Sequence, residues 1–278
     1  MYEGLVISAG AVKGFLILGF LDYIHADISS IKYYCGCSVG SYICMLLSIG
    51  YTPLEIIIYL CTNDISQLFK DLNPLMLKDF YGMIDVNLML EYIEEMIKYK
   101  IGYIPTFKNL YDNYDKILIC PAYNITDNKK EYLSFETYPD MTISKACILS
   151  SNIPFLFSKV EYNGKCYIDG ASFDFFPLNK LSDYTKELNC KILGITFDDK
   201  NTEKIESFVS YVKTIVSCLT TGKTYTLKDN ITVRTLNFNY EALDFNIDTK
   251  NKINMYVDGY NQSKKLKVSS IDKSTKEC

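Results

Sequence analysis

Ser38 stands at the centre of Gly36-Cys37-Ser38-Val39-Gly40, a G-x-S-x-G pentapeptide. A β-branched and aromatic run, Ile31 to Cys35, precedes it, and an apolar helix-like segment follows. Strand, sharp turn and helix are the setting of a nucleophile elbow, whose central hydroxyl is exposed at a helix N-terminus. Glycines two residues to either side supply the room a strained, positive-φ bend needs. The plain alternative is a tight β–α turn whose serine only caps the helix. A serine hydroxyl is a poor nucleophile until a neighbour accepts its proton. The single histidine, His25, lies upstream of Ser38 near the end of an apolar helix, which breaks the Ser–acid–His order of α/β-hydrolases and excludes a Ser-His-Asp triad. Asp169, in Tyr167-Ile168-Asp169-Gly170-Ala171, is the candidate base, placed at the end of a short strand with Gly170 allowing close backbone approach. On its own that segment also reads as an Asp-Gly turn. A third stretch, residues 8–14, links the first strand to a helix and could aim backbone N–H groups at a developing oxyanion. It could equally bind phosphate, but Phe15-Leu16 follows Gly14 and the G-K-[ST] of a P-loop is absent.

The elements that must position these groups alternate between strand and helix patterns. Strands are expected at Tyr2 to Ile7, Ile31 to Cys35, Ile117 to Ala122, Glu131 to Glu136, Lys165 to Ile168, Lys191 to Phe197 and Ile231 to Asn237. Helices are expected from Phe15 to about His25, after Ser38, from Pro53 to about Cys61, at Val86 to Tyr99, Ile143 to Leu149, Glu203 to Cys218 and Lys252 to about Leu266. Thr52-Pro53-Leu54-Glu55 reads as a capping box with proline at the first helical position. Residues 65–85 turn from polar to apolar and are a lid candidate. The expectation is an α/β fold with a mostly parallel central sheet covered by helices on both faces. With no linker or repeat, residues 1–266 form one domain and 267–278 a polar tail.

Composition narrows the function classes. A net charge of −4 with no basic stripe argues against nucleic acid. Arg234 is the only arginine, which nearly removes bidentate guanidinium clamps on phosphate. The ten cysteines lack metal-ligand spacing, and no signal peptide pattern opens the chain, so reduced thiols in the cytoplasm are expected. Tyr33 to Leu54 is uncharged and long enough to cross a bilayer, but its glycines and Pro53 punctuate it as strand, turn and helix. It reads as buried core, not as a transmembrane segment.

Taken together and in order, these motifs resemble the patatin-like phospholipase family, collinearly from Gly4 to about Pro177. Thr106 to Tyr111, Tyr123 to Thr126, Tyr138 to Met141 and the phrase Ser150-Ser151-Asn152-Ile153-Pro154-Phe155 are similar to family segments as well. The resemblance implies a three-layer patatin-like fold and a Ser–Asp dyad, with Ser38 as nucleophile and Asp169 as base. It implies Gly10 and Ala11 as oxyanion donors, with Lys13 and Gly14 completing the loop and Gly36, Gly40 and Gly170 supporting elbow and dyad. It further implies a calcium-independent phospholipase A activity needing no cofactor or metal, on lipid or phospholipid at a membrane surface, to which the protein would bind peripherally. Two positions depart from the pattern. Ala9-Gly10-Ala11 replaces three consecutive glycines, and alanine resists positive φ. Asp174-Phe175-Phe176-Pro177 stands where an asparagine commonly precedes the proline by two. The alternatives are a patatin fold that binds lipid or a partner without turnover, and a soluble esterase or thioesterase using the same dyad.

Overall fold

The computed structural model describes residues 1–63, 72–198, 205–206, 210–211, 214–215, 225–238 and 247–274. Its strands are β1 (Gly4–Ile7), β2 (Tyr33–Gly36), β3 (Gly82–Ile84), β4 (Ile117–Asn124), β5 (Lys129–Leu133), β6 (Phe155–Phe157), β7 (Val160–Tyr162), β8 (Lys165–Asp169), β9 (Ile192–Phe197) and β10 (Ile231–Leu236). Its helices are α1 (Gly14–Tyr23), α2 (Val39–Ser48), α3 (Pro53–Thr62), α4 (Met76–Phe80), α5 (Val86–Ile101), α6 (Phe107–Tyr114), α7 (Ile143–Ser150), α8 (Leu178–Tyr184) and, last, α9 (Thr249–Ser274). The expected helix from Glu203 to Cys218 lies largely outside the described residues.

The central sheet has the order β10-β9-β1-β2-β4-β8-β7, with β5 also on β4. From β10 to β4 every pairing is parallel, whereas β5, β8 and β7 are antiparallel additions. The period-two alternation of the strands sorts the core. Leu5, Ile7, Tyr34, Leu118 and Leu193 face the layer built on α1, α2, α5 and α7. Val6, Cys35, Ile117, Ile119 and Ile192 point the other way, against Leu178 and Leu181 of α8. Sequence order reverses between β1 and β9, so the crevice beyond the ends of β1 and β9 is where such a sheet takes a ligand.

The capping box at α3 is complete: the Thr52 hydroxyl accepts the Glu55 N–H, and the Glu55 carboxylate accepts the Thr52 N–H. The strand expected at Glu131 to Glu136 starts earlier and stops at Leu133. There Thr137 Oγ1 accepts the Ser134 N–H and donates to the Tyr132 carbonyl, closing a turn. Of the lid candidate, residues 72–85 hold α4 and β3, and β3 pairs in parallel with β6 as a separate two-stranded sheet. The last helix continues to Ser274, past the polar boundary expected at Lys267. That stretch is rich in lysine and serine and contains neither glycine nor proline to stop a helix.

α9 packs on α1 at backbone distance. A Cβ on Gly19 would land on the Tyr256 carbonyl, and one on Gly259 on the Leu16 carbonyl. Gly19→Ala is therefore expected to force the two helices apart and lower stability by about 2–3 kcal/mol, read as a drop in the urea midpoint. A midpoint equal to that of the parent protein would contradict this packing.

Candidate active site

β2 ends at Gly36, and the chain reverses into α2 through Ser38, which takes φ 53 and ψ −123. For a non-glycine residue that backbone is strained, and the surroundings impose it. A Cβ on Gly36 would overlap the Gly40 carbonyl, and one on Gly40 would come within 2.5 Å of the Ile7 carbonyl oxygen. The bend can close onto β1 only because both side chains are missing. Three further bonds fix it: Cys37 N–H to the Ile7 carbonyl, Ser41 Oγ to the Ser38 carbonyl (2.6 Å), and Ser38 N–H to Ser150 Oγ (3.4 Å).

Asp169 reaches the elbow by a route the residue pattern does not imply. The pattern suggests a strand-end aspartate in a parallel sheet, but β8 runs antiparallel to β4. Cys35 pairs with Ile119, and continuing that register three residues brings position 38 level with Ala122. Ala122 is the partner of Asp169 across β4 and β8. The long β4 strand therefore carries the alignment between nucleophile and carboxylate. Gly170 lets β8 sit tight there, since a Cβ would collide with the Pro121 carbonyl.

The Asp169 carboxylate is 3% exposed and accepts the Ala171 N–H at 2.7 Å and, more weakly, the Cys37 thiol at 3.9 Å, with the Ser38 hydroxyl among the groups that favour its ionised form. Burial raises its pKa to about 6, and those three groups oppose the rise. The carboxyl group is thus ionised near neutral pH yet basic enough to take a hydroxyl proton. Ser38 and Asp169 therefore meet in one place. His25 is exposed in the turn that follows α1, at the opposite end of that helix from the loop beside Ser38, so it takes no part.

The loop before α1 accommodates its alanines. Ala11 adopts a left-handed conformation, φ 47. Among the described residues, no acceptor takes the N–H groups of Gly10 and Ala11. The other two loop residues differ in role. The Lys13 N–H donates to the Gly10 carbonyl, and the Gly14 N–H to the carbonyls of Ala11 and Val12, so neither is left for a ligand. Lys13 instead lays its ammonium over the Phe197 and Phe238 rings, at 4.9 and 5.4 Å from their centroids. Gly14 leaves space, because a Cβ there would come within 2.6 Å of Val39 Cγ2 and push the loop off α2.

Several residues of the site are not legible as such in the sequence. Ser150 accepts the Ser38 N–H, and the Asn152 carbonyl accepts the Asp169 N–H, so one short phrase holds both Ser38 and Asp169. Its serines and proline are the only signal. Val39 at the first position of α2 offers another N–H beside Ser38 without an acceptor among the described residues. Asp174 accepts the Tyr132 hydroxyl at 2.6 Å and donates its own N–H to the Gly170 carbonyl, which makes it a support of the Asp169 loop.

Ser38 and Ala11 open onto an apolar cavity of about 160 Å³ that runs between α1, α2, α3 and α5, with Phe15, Ile43, Leu46 and Met96 among its walls. Its described polar lining is sparse: Ser38, Tyr42 hydrogen-bonded to Ser151 at 2.7 Å, and Lys252. Among the described residues no group of histidine, cysteine and carboxylate side chains is arranged to hold a metal ion. Nor is any single helix there long and apolar enough to cross a membrane. The eight described cysteines are free thiols.

Comparison with known proteins identifies the family. The profile of the family described as Patatin-like phospholipase matches residues 5–181. The chain is 38% identical over 194 residues to "Probable lipid hydrolase 463L" of Invertebrate iridescent virus 6, covering 68% of this chain and 67% of that one. It is 28% identical over 291 residues to "Uncharacterized protein R571" of Acanthamoeba polyphaga mimivirus, covering 97% and 95%. Among solved structures, VipD from Legionella pneumophila aligns with a TM-score of 0.49 and 15% identity over 96% of this chain and 67% of its own. This chain belongs to the patatin-like phospholipase family.

Proposed function

We propose that the protein is a lipid acyl hydrolase of calcium-independent phospholipase A type, working through Ser38 and Asp169. The observation that carries the reading is Ser38, held in a strained left-handed bend, standing beside the buried Asp169 carboxylate at the head of an apolar cavity. Ser38 Oγ attacks the ester carbonyl carbon while its proton passes to Asp169. The carbonyl π pair moves onto oxygen, where the N–H groups of Gly10 and Ala11 receive the charge. The tetrahedral adduct collapses, the C–O bond to the alcohol breaks, and Asp169 returns the proton to the departing oxygen. Water then attacks the acyl-serine with Asp169 again accepting a proton, the bond between the acyl carbon and Ser38 Oγ breaks, Asp169 returns the proton to that oxygen, and the fatty acid leaves. The cavity gives the acyl chain an apolar bed, which favours lipid over a small polar ester.

The test compares initial rates of fatty-acid release from phosphatidylcholine vesicles with hydrolysis of a monomeric short-chain ester, both in excess chelator. Faster turnover of vesicles, undiminished by chelation, is the expected result. Preference for the monomer would replace the phospholipase assignment by a soluble esterase with the same dyad. Failure of a fluorophosphonate to label Ser38 would point to a binding protein without turnover.

A further inference from the structure

The family match ends at residue 181, yet the cavity below Ser38 is completed by Ile247 and Lys252, which lie beyond it. The α1–α9 contact shows where Lys252 sits. Gly19 meets Tyr256 and Leu16 meets Gly259, so the helices run antiparallel, and Lys252 lies level with the Tyr23 end of α1. The other end of α1, at Gly14, adjoins the loop beside Ser38. Along α2, the cavity-lining residues from Val39 to Leu46 descend two turns from the nucleophile, roughly 10 Å. Lys252 is 1% exposed, and its ammonium donates to the Leu60 carbonyl at 3.2 Å, in the last turn of α3. A buried lysine, its ammonium fixed at a helix C-terminus, thus lines an otherwise apolar cavity at the end of α1 remote from the loop beside Ser38.

Resting on the hydrolase reading above, we infer that Lys252 is a specificity-determining residue that limits acyl-chain length. A chain whose carbonyl lies at Ser38 has about eight methylenes of room along α2 as far as Leu46, from bonds of about 1.5 Å in zigzag, before it must pack against the Lys252 side chain. Further methylenes would have to pack against a charge already held by the Leu60 carbonyl, gaining none of the free energy of apolar burial. The cavity therefore selects medium over long acyl chains, and the selection lies in the C-terminal helix, outside the elbow, loop and dyad.

The experiment measures kcat/KM on p-nitrophenyl butyrate, octanoate, laurate and palmitate for the parent, Lys252→Met and Lys252→Arg proteins, with thermal unfolding of each. Lys252→Met, similar in length but uncharged, is expected to raise the palmitate-to-octanoate ratio on the order of tenfold. Lys252→Arg keeps the charge, adds bulk and should move the optimum to shorter chains. A folded Lys252→Met with the parental ratio overturns the inference. If that variant does not fold, an unshifted optimum in Lys252→Arg does the same. Displacement of a fluorescent fatty acid by free fatty acids of increasing length, in Ser38→Ala and Ser38→Ala/Lys252→Met proteins, separates this inference from catalysis. A length limit that moves with Lys252 in an enzyme cleaving no ester would leave the inference standing and remove the hydrolase reading. Ester cleavage with an unmoved limit would do the reverse.

Discussion

Ser38→Ala is expected to lower kcat/KM on an ester substrate by on the order of 10⁵-fold and to leave the thermal midpoint almost unchanged. The size follows from what is removed. Members of a nucleophile–base pair act as a unit, so losing the nucleophile forfeits nearly all covalent catalysis, and only binding and oxyanion stabilisation survive. The small effect on stability follows from the site. The Ser38 hydroxyl is one of three groups that favour the ionised Asp169, while the strained bend is held by backbone contacts and by the absence of side chains at Gly36 and Gly40. Alanine occupies φ 53 no less readily than serine. Fluorophosphonate labelling followed by peptide mapping checks the same point. Residual activity within tenfold of the parent, or an adduct on another residue, would remove Ser38 from the mechanism.

Asp169→Asn should cost about 10⁴-fold in activity and make the protein more stable at neutral pH. An amide can still accept the Ala171 N–H but cannot take a proton from Ser38. The stability effect follows from linkage. Burial raises the folded pKa to about 6 from the ordinary 3.8, so the native state resists ionisation. The stability contributed by the neutral form is fully present below about pH 4 and is lost as pH rises through about 6. The difference of about two units corresponds to about 3 kcal/mol. The substituted amide carries no charge at any pH, so urea denaturation should show the variant ahead by up to that amount at pH 8 and level with the parent near pH 4. The parent's kcat/KM should rise with pH along a limb centred near 6, because only the ionised carboxylate accepts the proton. A parent whose activity is flat from pH 5 to 8, or a variant with no greater advantage at pH 8 than at pH 4, would contradict a buried base.

Much of this site is legible in residue types alone. Glycine at 36 and 40 around a serine, flanked by a strand pattern and an apolar helix, carries its geometry in composition, because no other residue fits against the Gly40 and Ile7 carbonyls. The capping box at Thr52 and the strands β1, β2 and β9 are legible for the same reason: local chemistry determines them. What escapes depends on pairing across the chain. That β8 is antiparallel, that β4 extends past Ala122 to receive it, and that Ser150 and Asn152 brace Ser38 and Asp169 are facts of register, which no single segment encodes. α6 escapes because it is only eight residues long, Phe107 to Tyr114, and half of them are polar, so it is easily passed over as a loop despite burying Phe107 and Leu110 on one face. The charge of Lys13 suggests a part in an anion-binding loop, but that charge is taken up by two aromatic rings contributed by β9 and the segment after β10.

The antiparallel arrival of β8 has a consequence for the timing of biosynthesis. The elbow precedes Asp169 by more than a hundred residues, and β8 can dock only on a finished β4. Contacts that distant in sequence close late, since the intervening chain must surrender its freedom first. A partly translated polypeptide thus holds Ser38 without Asp169 beside it, and the proposed pair is assembled only once the antiparallel strands have zipped into place.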